Sequence, residues 1–176
     1  MGYFLASRLR GWQYDSTQIL SPYVREGMTV LEPGPGMGFF TIPLARLVGA
    51  SGRVIAADLQ PRMIAGLKRR AAKANLLDRI EARVTSAETL GVEDLAGKMN
   101  FILAFAMVHE LPDAKRFFAD VGRASKPGAR LLLAEPRGHV KDVEFEAEIA
   151  AAAAAQFEVS ARPTIGRTRA ALLVKR

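Results

Sequence analysis

The stretch V-L-E-P-G-P-G-M-G at residues 30–38 joins two different hydrophobic patterns. Before it, an apolar run predicts a β-strand over residues 28–32, and after it a helical pattern extends over about residues 38–48. Three glycines stand at alternate positions: Gly34, Gly36 and Gly38. Glycine lets the backbone turn sharply and lets a ligand approach without a Cβ in the way. The stretch therefore predicts a strand, a ligand-binding turn and a helix.

An acidic residue follows at an informative distance. Asp58 ends the next predicted strand, residues 53–58, and lies 20 positions beyond Gly38 (58 − 38). A carboxylate at this place is typical of sites that bind ribose hydroxyls. The alternative, a tight turn without a ligand, leaves the position of Asp58 unexplained. The pair of features favours a cofactor that contains adenosine.

The glycine spacing indicates which kinds of cofactor are compatible with the turn. A dinucleotide site requires glycines at positions one, three and six of its motif. Counted from Gly34 the sixth residue is Phe39, and counted from Gly36 it is Thr41, so neither frame fits. The turn also lacks the lysine and the serine or threonine of a phosphate-binding loop. The spacing disfavours both a dinucleotide and a nucleoside triphosphate.

The rest of the sequence alternates short apolar runs with longer helical patterns, which is typical of a parallel sheet covered on both faces. Further strands are predicted over residues 80–84, 100–105, 129–135, 157–163 and 169–175, and further helices over residues 61–75, 113–124 and 141–156. A turn at Lys126-Pro127-Gly128 is expected to precede the fifth strand. Only a short loop separates the last two strands, so they must pair antiparallel.

Composition limits the protein class. The chain has 176 residues, which fits one domain over residues 1–176, with an N-terminal cap segment over 1–27 and a core over 28–176. No run of eighteen apolar residues and no secretory signal pattern is found, so a cytoplasmic protein is expected. The net charge of +7 leaves nucleic-acid binding open, but the charges are scattered, which disfavours it.

The order acidic-x-Gly-x-Gly-x-Gly resembles the first motif of class I S-adenosylmethionine-dependent methyltransferases. The later segments similar to that family are A-A-D-L-Q-P-R-M-I (56–64), T-S-A-E-T-L (85–90), A-M-V-H-E-L-P-D (106–113) and S-K-P-G-A-R-L-L-L-A-E-P (125–136). The last two resemble the ubiquinone/menaquinone-biosynthesis type. The resemblance implies a doubly wound, Rossmann-like α/β three-layer sandwich. Its seven strands would have the order 3-2-1-4-5-7-6, mostly parallel, with strand 7 antiparallel.

The resemblance also implies S-adenosylmethionine as cofactor and S-adenosylhomocysteine as product. The residues it implies around the cofactor are Glu32, Gly34, Pro35, Gly36, Gly38, Asp58, Leu59, Ser86, Ala87, Glu88, Ala104 and Phe105. Asp58 is expected to accept both ribose hydroxyls, and Glu32 to orient the turn and the methionine ammonium group. Leu59 and residues 86–88 are expected around adenine, although many relatives have aspartate where Ser86 stands. Tyr14 either covers the cofactor or packs in the core.

The chain has two histidines, His109 and His139, and they follow the fourth and fifth predicted strands. Ligands of open α/β sheets bind beyond the carboxyl ends of the strands, so both histidines are candidates for accepting a proton from the substrate. Glu135 and Arg137 adjoin the same strand end and are expected to recognise a polar substrate. In the alternative for His109, its segment only leads into a helix capped by Asp113.

The residues that the chain lacks at informative positions reduce the range of possible methyl acceptors. The chain has no cysteine, which excludes cytosine C5 chemistry and the thiol-dependent arsenite type. The end of strand four lacks the Asn/Asp-Pro-Pro-aromatic sequence of many nucleic-acid amino-methyltransferases. No carboxylate stands at Phe105 or Ala106, so metal-independent transfer is expected. A small-molecule acceptor with an O, N, S or C nucleophile is predicted. The alternatives are an RNA or protein substrate and a non-catalytic cofactor-binding domain.

Overall fold

A computed structural model describes residues 15–86 and 89–176 of the chain. The predictions made for Tyr14, Ala87 and Glu88 lie outside the described residues. The chain divides into two compact units, with the boundary between Thr85 and Ser86.

The first unit contains three parallel strands and three α-helices in its described part. The elements are α1 (Ser16–Leu20), β1 (Thr29–Pro33), α2 (Thr41–Leu47), β2 (Arg53–Asp58), α3 (Pro61–Lys73) and β3 (Ile80–Val84). β2 pairs with β1 on one side and with β3 on the other, and Pro33 lies opposite Ala57. The carboxyl ends of β1 and β2 therefore lie side by side.

Local sequence explains where these elements begin. Pro61 occupies the first turn of α3, where its missing N–H group is not needed. The strand β1 is buried on both faces from Val30 onward, as expected for a parallel strand covered by helices. Helix α1 was not predicted, and it begins because the Asp15 carboxylate accepts hydrogen bonds from the N–H groups of Thr17 and Gln18.

The second unit contains two α-helices and four strands in its described part. The elements are β4 (Met99–Phe105), α4 (Ala114–Ala124), β5 (Ser125–Pro136), α5 (Asp142–Ala154), β6 (Phe157–Ala161) and β7 (Thr168–Lys175). β4 and β5 are parallel, whereas β7 is antiparallel to both β5 and β6. The closing hairpin predicted from the short loop is thus confirmed. A short 3₁₀ helix, Val108–Glu110, follows β4.

The fifth strand differs from its predicted start. β5 begins at Ser125, directly after α4, rather than at residue 129. Ser125 pairs with Met99 and Arg130 pairs with Phe101, so residues 126–129 form a bulge opposite a single residue of β4. The Lys126-Pro127-Gly128 sequence makes this bulge, because proline has no N–H to donate to the ladder and Gly128 has a φ of +78°. The expected turn lies within the strand.

The seven strands have the order β3-β2-β1-β4-β5-β7-β6. This order and the antiparallel β7 confirm the predicted Rossmann-like α/β class. None of the helices within residues 15–86 and 89–176 has the length and apolar composition that a membrane span requires.

Gly38 allows the turn after β1 to approach α3 closely. Its φ of +86° lies in the left-handed region, and a Cβ built there would be 2.5 Å from Cδ1 of Leu67. Leu67 is fully buried and packs with Ala56 and Ile64. Any larger residue at position 38 must therefore displace part of the core.

We expect Gly38→Ala to lower the free energy of unfolding by more than Gly97→Ala does. Both glycines have positive φ, but a Cβ at Gly97 meets nothing within 4 Å. The left-handed conformation costs an alanine on the order of 1 kcal/mol, and displacement of Leu67 adds roughly 1–3 kcal/mol at position 38 only. Urea denaturation followed by circular dichroism measures both variants. Equal losses would contradict the close packing of Gly38.

Candidate active site

The glycine turn of the first unit is attached to the end of β2. The N–H of Gly34 donates to the carbonyl of Ala57 at 2.8 Å. The N–H of Gly36 donates to Oδ2 of Asp58 at 3.3 Å. The turn and the acidic residue that the sequence placed 20 positions apart are therefore in direct contact.

Open space lies beside the turn at Gly36. Its φ is +55°, and a Cβ built on it would meet nothing within 4 Å. Gly34 is exposed, whereas Pro35 and Gly38 are buried and form the inner side of the turn. The backbone at Gly36 can therefore be approached closely by a ligand, and a side chain at this position would extend into that open space.

Asp58 has carboxylate oxygens that are oriented by the backbone. Oδ1 accepts a hydrogen bond from the N–H of Gln60 at 2.8 Å, and Oδ2 accepts the bond from Gly36. Burial raises the pKa of the Asp58 carboxyl group, and these two hydrogen bonds oppose the rise. Each oxygen keeps a lone pair for a further donor. Beside it, the apolar side chain of Leu59 is 49% exposed and provides a surface on which a flat ring could stack.

The other residues predicted around the cofactor are placed as follows. Glu32 is buried, and its Oε2 accepts a hydrogen bond of 2.6 Å from the hydroxyl of Thr41 in the first turn of α2. Glu32 thereby connects the end of β1 to the helix that follows the glycine turn. In the second unit, Ser86 is exposed, while Ala104 and Phe105 are buried at the end of β4.

A buried carboxylate organises the second unit. Glu135, near the end of β5, is completely inaccessible to solvent. Its Oε1 accepts hydrogen bonds from the N–H groups of Val108 at 2.8 Å and Met107 at 3.3 Å. Its Oε2 lies 2.5 Å from Nδ1 of His109. Burial raises the pKa of Glu135, and His109 and the two N–H donors oppose the rise. Both of its oxygens are therefore engaged by the loop after β4.

His109 is oriented by this contact. Since Oε2 of Glu135 accepts a hydrogen bond from Nδ1, the hydrogen of the neutral ring belongs on Nδ1. Nε2 is then left to accept a proton. The side chain is 19% exposed, and its Nε2 lies 3.9 Å from Oε1 of Glu110. The loop leaves β4 through Ala106, whose φ of +53° is unfavourable for an alanine. Strained backbone of this kind occurs often at functional sites.

The remaining predicted residues lie around the same loop. The ring of His139 contacts the ring of His109 edge to face, with 5.8 Å between centroids. Arg137 is exposed, and its Nε donates to the carbonyl of Thr168 at the start of β7. Asp113 caps α4 by accepting a hydrogen bond from the N–H of Arg116, as the alternative for this segment predicted. This cap and the Glu135–His109 contact exist together.

Glu148 of α5 is a buried acidic residue that the sequence analysis missed. The residue is only 8% exposed, and its Oε2 has no hydrogen-bond partner among the described residues. Burial, followed by the charges of Glu135 and Glu144, raises the pKa of Glu148 to about 8. The only sequence signal was its spacing from Phe145, three residues along a helix. Within the described residues, no group of three His, Asp or Glu side chains is arranged to bind a metal ion.

Residues 24–165 match the family described as "Methyltransferase domain". An arsenite methyltransferase of Halobacterium salinarum is 33% identical over 109 residues, which cover 62% of this chain and 27% of that protein. The ubiquinone/menaquinone biosynthesis C-methyltransferase UbiE of Klebsiella pneumoniae is 30% identical over 112 residues, which cover 64% of this chain and 44% of that protein. The chain thus spans less than half the length of these relatives.

The crystal structure of a SAM-dependent methyltransferase from Aquifex aeolicus has a similar fold. The TM-score is 0.79 at 24% identity, and the match covers 92% of this chain and 89% of that chain. At this identity the similarity establishes the fold.

We expect Glu148→Gln to stabilise the protein increasingly as the pH rises from 5 to 8.5. The raised pKa means that the folded state keeps a proton that the unfolded state releases above its ordinary value of 4.5. Stability of the wild type is therefore lost as the pH rises from 4.5 to about 8, at most on the order of 1 kcal/mol per pH unit. Glutamine has no proton to lose.

Thermal unfolding of the two proteins across this pH range measures the difference. Glu146→Gln is the matched control, because it removes an exposed carboxylate of the same helix that pairs with Arg162. Its effect should change little over the same range. A constant difference between the wild type and Glu148→Gln would contradict the assignment of a raised pKa to Glu148.

Proposed function

The chain belongs to the methyltransferase domain family, and from that premise we propose that it transfers a methyl group from S-adenosylmethionine to a small-molecule acceptor. S-Adenosylhomocysteine is the product. The observation that carries the proposal is the hydrogen bond from the N–H of Gly36 to Asp58, beside open space at the turn. It joins a backbone that a ligand can approach to a carboxylate that can bind a ribose.

The first unit holds the cofactor in this proposal. The free lone pairs of the Asp58 carboxylate accept hydrogen bonds from the two ribose hydroxyls. The exposed side chain of Leu59 packs on adenine. Gly34 and Gly36 lie along the methionine and ribose portions, where a Cβ would intrude. Glu32 acts indirectly, because its bond to Thr41 fixes the start of α2 and the shape of the turn. When bound, S-adenosylmethionine supplies a methyl group on a positively charged sulfur.

The second unit supplies the proton acceptor. Glu135 holds Nδ1 of His109, so that Nε2 can take the proton from an acceptor hydroxyl or amine as the new bond to carbon forms. The imidazolium formed is then paired with the buried carboxylate. Glu135 thus acts through His109, and a direct contact between Glu135 and substrate remains only a prediction. His139 and Arg137 are exposed and are the better candidates for contacting the substrate.

The acceptor is proposed to be a small molecule, in keeping with the names of the arsenite and ubiquinone/menaquinone relatives. The described chain adds few segments to the sheet and its helices that could recognise a large substrate. Arsenite chemistry based on cysteine thiols is not available to a chain without cysteine. The oriented His109 favours oxygen or nitrogen nucleophiles, which must lose a proton.

Two alternatives remain testable. The charge of +7 is the observation that favours an RNA or acidic protein as substrate. A non-catalytic domain that only binds the cofactor would also keep the glycine turn and Asp58. The Glu135–His109 contact argues against this second alternative, because a domain that only binds the cofactor does not require an oriented proton acceptor.

For the cofactor, we expect isothermal titration to show binding of S-adenosylhomocysteine and S-adenosylmethionine, with NADH and ATP binding far more weakly. Asp58→Ala should weaken the binding at least about tenfold, because hydrogen bonds to a charged group contribute roughly 1.5–3 kcal/mol each. Asp78→Ala, which removes an exposed carboxylate of the same unit, is the control and should bind normally. Tighter binding of NADH than of S-adenosylmethionine would overturn the proposal.

For the proton acceptor, we expect His109→Ala to lower kcat by about 10²–10⁴-fold while cofactor affinity is retained. The loss should be largest for acceptors with a high pKa. The assay is release of S-adenosylhomocysteine across phenol, quinol, amine, thiol and RNA acceptors, repeated with EDTA to test metal independence. His139→Ala should have the smaller effect, since Glu135 bonds to His109. Full turnover in the double histidine variant would exclude a histidine proton acceptor.

A further inference from the structure

The turn after β5 connects an exposed arginine to the two histidines. It runs from Pro136 to His139, because the N–H of His139 donates to the carbonyl of Pro136 at 3.0 Å. Arg137 and His139 are both exposed. The ring of His139 contacts the ring of His109, with 5.8 Å between centroids. One short turn therefore links a cationic side chain to the surroundings of the proposed proton acceptor.

The side chain of Arg137 is oriented by the neighbouring strand. Its Nε donates to the carbonyl of Thr168 at 3.1 Å, and its backbone N–H donates to the carbonyl of Arg167 at 3.0 Å. Its Nη1 and Nη2 donate no hydrogen bond to any described residue. These two terminal nitrogens form a planar pair that can bind both oxygens of a carboxylate, or two oxygens of a phosphate. The guanidinium group is thus held in place while its anion-binding side stays open.

Positive charges predominate around this turn. The pairing of β5 with β7 brings Arg137, Arg167 and Arg169 together. Arg169 donates from Nη1 to the carbonyl of Arg137 at 3.3 Å, and through its Nε it pairs with Asp142. Among the described residues, Asp142 is the one acidic side chain that is paired with these three arginines. One carboxylate against three guanidinium groups leaves a net positive charge that favours an anionic ligand.

Gly138 leaves open space in the same turn. It stands between Arg137 and His139, and it is exposed. A Cβ built on Gly138 would meet nothing within 4 Å, so close packing does not require a glycine there. Its φ lies outside the left-handed region, so the backbone conformation does not require one either. The absence of a side chain leaves a path for a ligand between the arginine and the histidines.

We propose that this turn binds an anionic group of the methyl acceptor, a carboxylate or a phosphate, through Nη1 and Nη2 of Arg137. The proposal rests on the function proposed above, since it assigns a substrate class to the same site. The acceptor lies along Gly138, with its anion on Arg137 and its nucleophilic oxygen or nitrogen toward His109. Arg137 is then a specificity-determining residue, and Arg167 and Arg169 add to the positive potential that attracts the anion.

The test is titration of the protein, without cofactor and at constant pH, with three phenols that differ in one substituent. They are 3-hydroxybenzoate, 3-hydroxyphenyl phosphate and the neutral 3-hydroxybenzamide. Nuclear magnetic resonance of the imidazole rings reports binding, because the chain has two histidines and their rings are in contact. At least one anion should shift both ring signals to saturation, with a Kd at least about tenfold below that of the amide. The anion that binds more tightly identifies the group recognised.

The variant Arg137→Gln should raise the Kd of the anion to that of the amide and leave the Kd of the amide unchanged. A merely structural role of Arg137 would weaken the binding of both. Arg176→Gln is the matched control and should keep the preference for the anion, because it removes an exposed arginine at the opposite end of β7, where Arg176 pairs with Glu158. Should Arg137→Gln not fold, Arg137→Lys replaces it and should reduce the preference, because lysine lacks the planar pair of nitrogens.

Three outcomes overturn the proposal: neither anion shifts the ring signals, the amide binds as tightly as the anions, or the Arg137 variant keeps the full preference for the anion. No cofactor and no methyl transfer enter this titration, so a failure of the proposed function produces none of these outcomes. Conversely, methyl transfer to neutral acceptors alone would establish the proposed function and overturn the assignment of an anionic acceptor.

Discussion

The buried carboxylate of Glu135 is the constraint on which the arrangement of the second unit depends. A charged group without solvent contact needs donors, and Glu135 obtains them from two backbone N–H groups and from His109 of the loop after β4. The same bonds attach Met107, Val108 and His109, which follow the strained residue Ala106, to the end of β5. Removal of any donor would leave an uncompensated buried charge, so the loop cannot change its path without a large loss of stability.

The sequence predicted most of the fold because its signals were local. Parallel strands covered on both faces are continuous apolar runs, and the short loop between β6 and β7 left only an antiparallel pairing. The start of β5 was wrong, since Lys126-Pro127-Gly128 indicates a turn whether the chain leaves the sheet or bulges within it. Helix α1 was missed because five residues form too few turns for a periodic pattern, although the capping residue Asp15 was visible.

The sequence predicted more of the candidate site in the first unit than in the second. Gly36 and Asp58 could be found together because the turn, the helix α2 and the strand β2 follow one another and fix their separation in the sequence. The role of Glu135 could not be predicted, since its partners include backbone N–H groups 27 and 28 positions away. Every residue type except proline has such a group, so the sequence does not show which ones bind. Glu148 was hidden for another reason. Its role depends on burial, and six of the seven residues after it are alanines, which reveal little about which side of α5 faces inward.

The two units meet different chemical demands, and this explains why their polar groups are treated differently. In the proposed function Asp58 binds a cofactor that must be exchanged, and in keeping with this Asp58 is only partly buried and its two backbone hydrogen bonds leave lone pairs open to a ligand. The proton acceptor that we propose, His109, needs one ring orientation, and its bond to a carboxylate that no solvent reaches would provide it. The burial that makes Glu135 a strong partner also makes any second charge nearby unfavourable. Glu148 has no donor for its Oε2 among the described residues, and its burial raises its pKa to about 8.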